Sequence, residues 1–118
     1  IHMKEFIDQK CANYFSIDLP WNGLAESIKI SKYCKQKNYE ITTHNYNGFL
    51  GTLMSANFAA MVPNFFIGEL DFDEADGVEK IFTDKPLING RYLKIPSKPG
   101  WGCELIEKEI NNFYSAKN

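Results

Sequence analysis

The sequence is short of the features that build the simplest binding sites. Its three cysteines, Cys11, Cys34 and Cys103, are odd in number, far apart and without a Cys-x-x-Cys pair. Neither a disulfide framework nor a structural zinc site follows from that pattern, and three reduced thiols in a cytoplasmic protein are the expectation. No apolar run approaches the roughly 20 residues needed to cross a bilayer, so a soluble protein is the default. An excess of charge is missing too: 13 Lys+Arg against 15 Asp+Glu leave a net charge of -2, with the lysines scattered along the chain. That balance gives no electrostatic case for nucleic acid or an anionic membrane.

What is present is globular. Of 118 residues, 44% are hydrophobic and 14% aromatic, enough for one domain that buries about two thirds of its unfolded surface. Ile1-His2 before Met3 reads as a cloning remnant and is set aside. Residues 4–82 alternate short strand patterns with helical ones, and residues 83–118 change to a hairpin, a Pro-Gly-Trp-Gly loop and a closing helix. No internal repeat or low-complexity segment interrupts this order.

The organising stretch is Tyr39 to Asn47, a β-branched strand that stops at His44 and gives way to Asn-Tyr-Asn-Gly, a loop composition. Two other short strands end in acids: Tyr14–Asp18, 26 residues before His44, and Phe65–Glu69, 25 residues after it. Each interval fits a strand, a helix and two connections. In a parallel sheet the carboxyl ends of the strands face the ligand, so Asp18, His44 and Glu69 should stand at one level around one cavity.

The connecting segments fit this plan. Lys4 to Ala12 predicts a short helix, Pro20 with Asn22-Gly23 a turn, and Leu24 to Lys37 a helix whose lysines form its solvated face. Phe49 to Val62 is apolar on nearly every side, as expected of a helix that is buried or faces a partner. Asp71, Asp73, Glu74 and Asp76 lack the glycine and glutamate order of a calcium loop and read as a solvated acidic loop. Leu87 to Leu93 carries an Asn-Gly hairpin signature that favours a type I′ turn, and the closing helix is expected from about Glu104 to Phe113.

Five motifs in order then carry a resemblance: Asp18-Leu19-Pro20-Trp21-Asn22-Gly23, Ala25 to Ile30, Thr43-His44-Asn45, Ser55 to Ala60 with Val62-Pro63-Asn64-Phe65 and Glu69, and Pro99-Gly100-Trp101-Gly102. From about Lys4 to Ile110 the chain resembles the C-terminal third of mandelate racemase/muconate lactonizing enzymes of the enolase superfamily, with acid-sugar dehydratases as the nearest-looking branch. The resemblance implies an α/β fold, the last three strand-helix units of a β/α barrel, with the hairpin and helix returning toward a capping domain. It implies catalytic roles for Asp18, His44 and Glu69, the aspartate supporting the histidine base, and substrate contacts from Asn45, Trp21 and Trp101.

The implied chemistry is removal of a proton next to a carboxylate, through an enediolate held by Mg2+, from an acid-sugar substrate. The family's metal ligands fall on earlier strands that this sequence does not contain. The expectation is therefore a fragment that holds no Mg2+ by itself and lacks activity alone, either self-associating or completed by an N-terminal partner segment. Other readings stay open at single residues: Asp18 could cap the following helix, Glu69 could be surface charge, and both tryptophans could be mere covers. A non-catalytic, self-associating α/β module is the alternative for the whole, because open parallel edges invite association.

Overall fold

In the computed structural model, which describes residues 2–73 and 76–115, helix α1 (His2–Asp8) leads into a strand-helix alternation. Its members are β1 (Tyr14–Asp18), α2 (Leu19–Gln36), β2 (Glu40–His44), α3 (Gly48–Met61) and β3 (Phe65–Gly68). The three strands pair in chain order and all run parallel. Helix α2 packs on β1, β2 and α3, and α3 packs on β3, so the helices share one face. Sequential parallel strands backed by helices on one side form a stretch of barrel wall, since a doubly wound sheet carries helices on both.

Alternation along the strands explains the layering. Phe15 and Ile17 of β1 and Ile41 and Thr43 of β2 are buried against the helices. Tyr14, Ser16 and Asp18, with Glu40, Thr42 and His44, take the opposite face, as a period of two requires. Leu19, Ile30, Cys34, Phe58 and Val62 complete the core between sheet and helices. Cys34 is fully buried there, and burial raises its thiol pKa to about 11, which leaves it protonated and unreactive at neutral pH.

Several boundaries differ from the sequence expectation for identifiable reasons. Helix α1 stops at Asp8 because Lys10 is left-handed and Cys11 N–H bonds back to Phe6 O at 3.1 Å, a helix-ending pattern. Helix α2 starts at Leu19, five residues early: Asp18 caps a first turn that contains Pro20, and the chain breaks helical geometry at Gly23 before resuming. Helix α3 meets its expectation, since no residue from Gly48 to Ala59 is exposed.

Past β3 the chain forms a 3-10 turn (Val78–Ile81), a hairpin of β4 (Ile88–Asn89) and β5 (Tyr92–Leu93), and helix α4 (Glu107–Ser115). Asn89 pairs with Tyr92, which puts Gly90-Arg91 at the turn in place of Asn89-Gly90. Only Gly90, at φ 58°, is left-handed, a type II′ pattern and not the expected I′. Helix α4 starts three residues late because Leu105 pairs with Phe82 in an antiparallel bridge. Of the acidic run, Glu74 lies outside the described residues. Asp71 is not simply solvated: its Oδ2 accepts from Gly48 N at 3.0 Å, at the start of α3, where Asn47 makes no side-chain cap.

The register of β3 carries one irregularity. Ile41 is opposite Phe65, but Thr42 is opposite Ile67, so Phe66 is an extra residue at a bulge. After it, Thr43 faces Gly68, and Glu69 N–H bonds to Thr43 O at 3.1 Å.

Candidate functional site

The three strand-end residues meet as the spacing requires. Asp18 and His44 are direct partners in the β1–β2 register, and their side chains are joined, His44 Nδ1 to Asp18 Oδ2, at 2.8 Å. A carboxylate accepts, so Nδ1–H donates and Nε2 is the free basic nitrogen of the neutral ring. Glu69 Oε2 stands 3.8 Å from Nε2 and accepts from Asn45 N–H at 2.9 Å. His44 is thus set between two acids on the open face, with half of its side chain exposed.

The hydrogen bond with Asp18 raises the His44 pKa above the ordinary histidine value; partial burial opposes the rise, and the charges of Glu69 and Asp18 add to it. Asp18 makes the helix cap and the histidine contact at once, on different oxygens. Its Oδ1 accepts from Trp21 N–H at 2.9 Å, capping α2, while Oδ2 takes His44. The cap fixes the carboxylate, and the fixed carboxylate orients the ring.

The three residues expected to reach substrate are placed less uniformly. Trp21 sits on the capped first turn of α2, beside Asp18, with its side chain largely exposed. Asn45 follows His44 directly and turns its side chain inward. It is 1% exposed, and its amide donates to Thr52 Oγ1 at 2.8 Å, so the side chain shapes the loop and only the main-chain N–H reaches the site. Trp101 is fastened through its carbonyl to Asn57 Nδ2 at 3.3 Å. Asn57 lies nine residues along α3 from Gly48, about 14 Å from the end that faces His44.

Two residues at the site escaped the sequence reading. Asn47 Nδ2 donates to Asp18 Oδ2 at 3.3 Å, the oxygen that also holds His44, and Asp71, three residues past the end of β3, caps α3. The signal for Asn47 was the Asn-x-Asn-Gly composition, which reads as a turn and says nothing about which way an amide points. For Asp71 there was no local signal, because its partner is 23 residues away.

On the helix side of β3, a cavity of ≈ 480 Å³ is lined by Thr43, Ser55, Glu69 and the hairpin. The hydroxyls of Thr43 and Ser55 are buried with no hydrogen-bond partner among the described residues. As for the family's Mg2+, no group of three or more His, Cys, Asp or Glu among the described residues is arranged to hold a metal. Both Asp18 oxygens already accept hydrogen bonds, and Mg2+ demands near-octahedral oxygen ligands. The described residues do not fit the ion. Among the same residues, no helix is long and apolar enough to cross a membrane.

Comparison with known proteins bears on the fold that carries this geometry. Residues 1–109 match the family described as Enolase C-terminal domain-like. The chain is 27% identical over 103 residues to the D-xylonate dehydratase of Haloferax volcanii, covering 86% of this chain and 25% of the relative. It is 23% identical over 110 residues to the arabinonate dehydratase of Saccharolobus solfataricus, covering 92% and 29%. Among solved structures, one assigned as an L-alanine-DL-glutamate epimerase from Burkholderia xenovorans, bound to magnesium and fumarate, aligns with a TM-score of 0.88 at 35% identity, over 93% of this chain and 27% of that one. An enolase from Pantoea ananatis with bound D-gluconate and magnesium aligns at 0.82 and 22% identity, over 92% and 27%. The chain therefore spans about a quarter of the length of these relatives. Its parallel strand-helix order and the match over nearly its whole length make it a member of the Enolase C-terminal domain-like family, the closing part of an enolase-superfamily barrel.

Proposed function

We propose that this chain carries the histidine side of an active site that removes a proton from the carbon next to a sugar acid's carboxylate. The observation that carries the reading is the placement of His44, tied through Nδ1 to Asp18 at 2.8 Å with Nε2 facing Glu69 at 3.8 Å. Nε2 takes the proton, and Asp18 holds the ring and stabilises the imidazolium that forms. Glu69 stands beside the substrate carboxylate and shares a hydrogen bond with it as charge grows there. In the dehydratase version of the chemistry, a proton is then returned to the departing hydroxyl.

Dehydration of sugar acids and epimerisation next to a carboxylate begin with the same proton loss, and relatives of both kinds support the reading. The Mg2+ of the family enters no step here, because its ligands are not among the described residues. The remaining part of the site comes from polypeptide that precedes this region in its relatives, and the chain alone is inactive. The test is loss of the α-proton of D-xylonate, D-arabinonate and D-gluconate in D2O with Mg2+, followed by NMR. It is run for the chain alone and for the chain with a companion polypeptide supplying the preceding strands. Exchange should need the companion and vanish with His44→Gln. Exchange that survives His44→Gln would remove the reading.

A second reading, a self-associating module without catalysis, is favoured by a different observation. Both β1 and β3 are edge strands among the described residues. Tyr14 and Phe66 stack at 5.0 Å while half exposed, next to an exposed Ile67. Sedimentation of the chain as a monomer at high concentration would count against it.

A further inference from the structure

We infer that Asn47 is a positioning residue that tempers the basicity of His44, by donating to the same Asp18 oxygen that grips the imidazole. The geometry is specific. Asp18 Oδ2 receives His44 Nδ1 at 2.8 Å and Asn47 Nδ2 at 3.3 Å, while Oδ1 receives Trp21 N–H at 2.9 Å. A carboxylate oxygen that serves two donors holds each less strongly than it would hold one.

The loop that presents Asn47 is itself held rigidly. Asn47 N–H donates to Asn45 Oδ1 at 3.3 Å, Asn45 Nδ2 to Thr52 Oγ1 at 2.8 Å, and Thr52 Oγ1 to Gly48 O at 3.1 Å. Gly51 leaves the room for this: a Cβ there would collide with Asn45 Oδ1 and meet Asn47 Cβ at 2.7 Å. One loop therefore touches both acids that flank His44, Glu69 through Asn45 N–H and Asp18 through the Asn47 amide. The amide is neutral, so it moderates the pairing without adding charge.

The charged groups around His44 are few. Asp18 comes from β1 and Glu69 from the end of β3; the first turns of α2 and α3 carry no charged side chain. Asp71, on Gly48 N–H, is the further acid at this loop. Removing the Asn47 donor leaves Asp18 Oδ2 to His44 alone, which favours the imidazolium. A role that was only structural predicts the opposite sign, because a loosened Asp18 would let the ring return toward its ordinary pKa of about 6.5.

The importance for catalysis rests on the reading of His44 as a base, but the titration can be measured without it. NMR pH titration of the His44 ring, assigned against His2 with a His44→Gln variant, should show the midpoint moving up in Asn47→Ala and Asn47→Leu. In an Asp18→Asn background the same changes should be silent. A midpoint that is unchanged or lowered in the single variants overturns the inference. If neither variant folds, the native chain still decides it: the Asn47 side-chain NH2 signals should inflect at the His44 midpoint, and a flat profile overturns it. Failure of every sugar-acid assay would sink the catalytic reading and leave this titration unaffected.

Discussion

All the buried hydrophobic side chains of the described residues lie between Ile7 and Val62, whereas from Asp76 to Ser115 only Gly102 is buried. The first region is a sheet with its helices and closes a core of its own on one face. The second is an arm held by main-chain bonds such as Ile106 N to Ile81 O at 2.8 Å, by the Lys98–Asp84 ion pair, and by contacts of Trp101 and Phe82 with α3. The radius of gyration, 16.0 Å, exceeds the roughly 13.5 Å of a compact domain of this length. The difference teaches that strand-helix units can be locally complete while the segment that returns across them depends on what it lies against. Helix α4, with Ile110 and Phe113 only partly covered, is the clearest example.

The comparison can be broken by substitution. Phe58, fully buried in the core, should cost about 3–5 kcal/mol when changed to alanine. Leu105, 55% exposed in the arm, should cost under about 1 kcal/mol. Urea unfolding of both variants measures this, and equal losses would mean that the arm is as integral as the core.

A smaller effect sharpens the boundary between core and site. Gly51→Ala drives a methyl into Asn45 and Asn47 and should destabilise by roughly 1–3 kcal/mol. It should also disturb the His44 titration, which Phe58→Ala should leave in place if the site loop is held locally. The smallest effect is that of pH. The folded pKa of His44 is raised, chiefly by Asp18. The stability from that pairing is therefore full below the unfolded value of about 6.5 and is lost as pH rises through the folded value. Thermal unfolding across that window should show the loss, and His44→Gln should flatten it.

Much of the site was legible because it depends on counting. Apolar strands that end in Asp18, His44 and Glu69 at intervals of 26 and 25 residues state their own level in a parallel sheet. The Asp18 cap was legible as an alternative, though not that two oxygens of one carboxylate could serve both roles. The burial of Asn45 against Thr52 was not legible, because it is decided by α3 and not by the residues beside His44. Asn47 and Asp71 act across elements, and no local pattern records such partners. In the arm, the turn at Gly90-Arg91 and the late start of α4 depend on register and on the Phe82–Leu105 bridge, which composition does not reveal.

The bulge at Phe66 has a consequence in arithmetic. Side chains of a strand obey an odd-even rule, and one extra residue before Ile67 changes the parity of everything after it. Were the same sequence paired without the bulge, Phe66 would stand opposite Thr42, Gly68 would come opposite His44, and Glu69 would turn toward the helices. The acid would vanish from the site with its codon intact. A single slip of register, made three residues upstream of Glu69, can therefore remove a carboxylate from this face that no alignment of identities would show as missing.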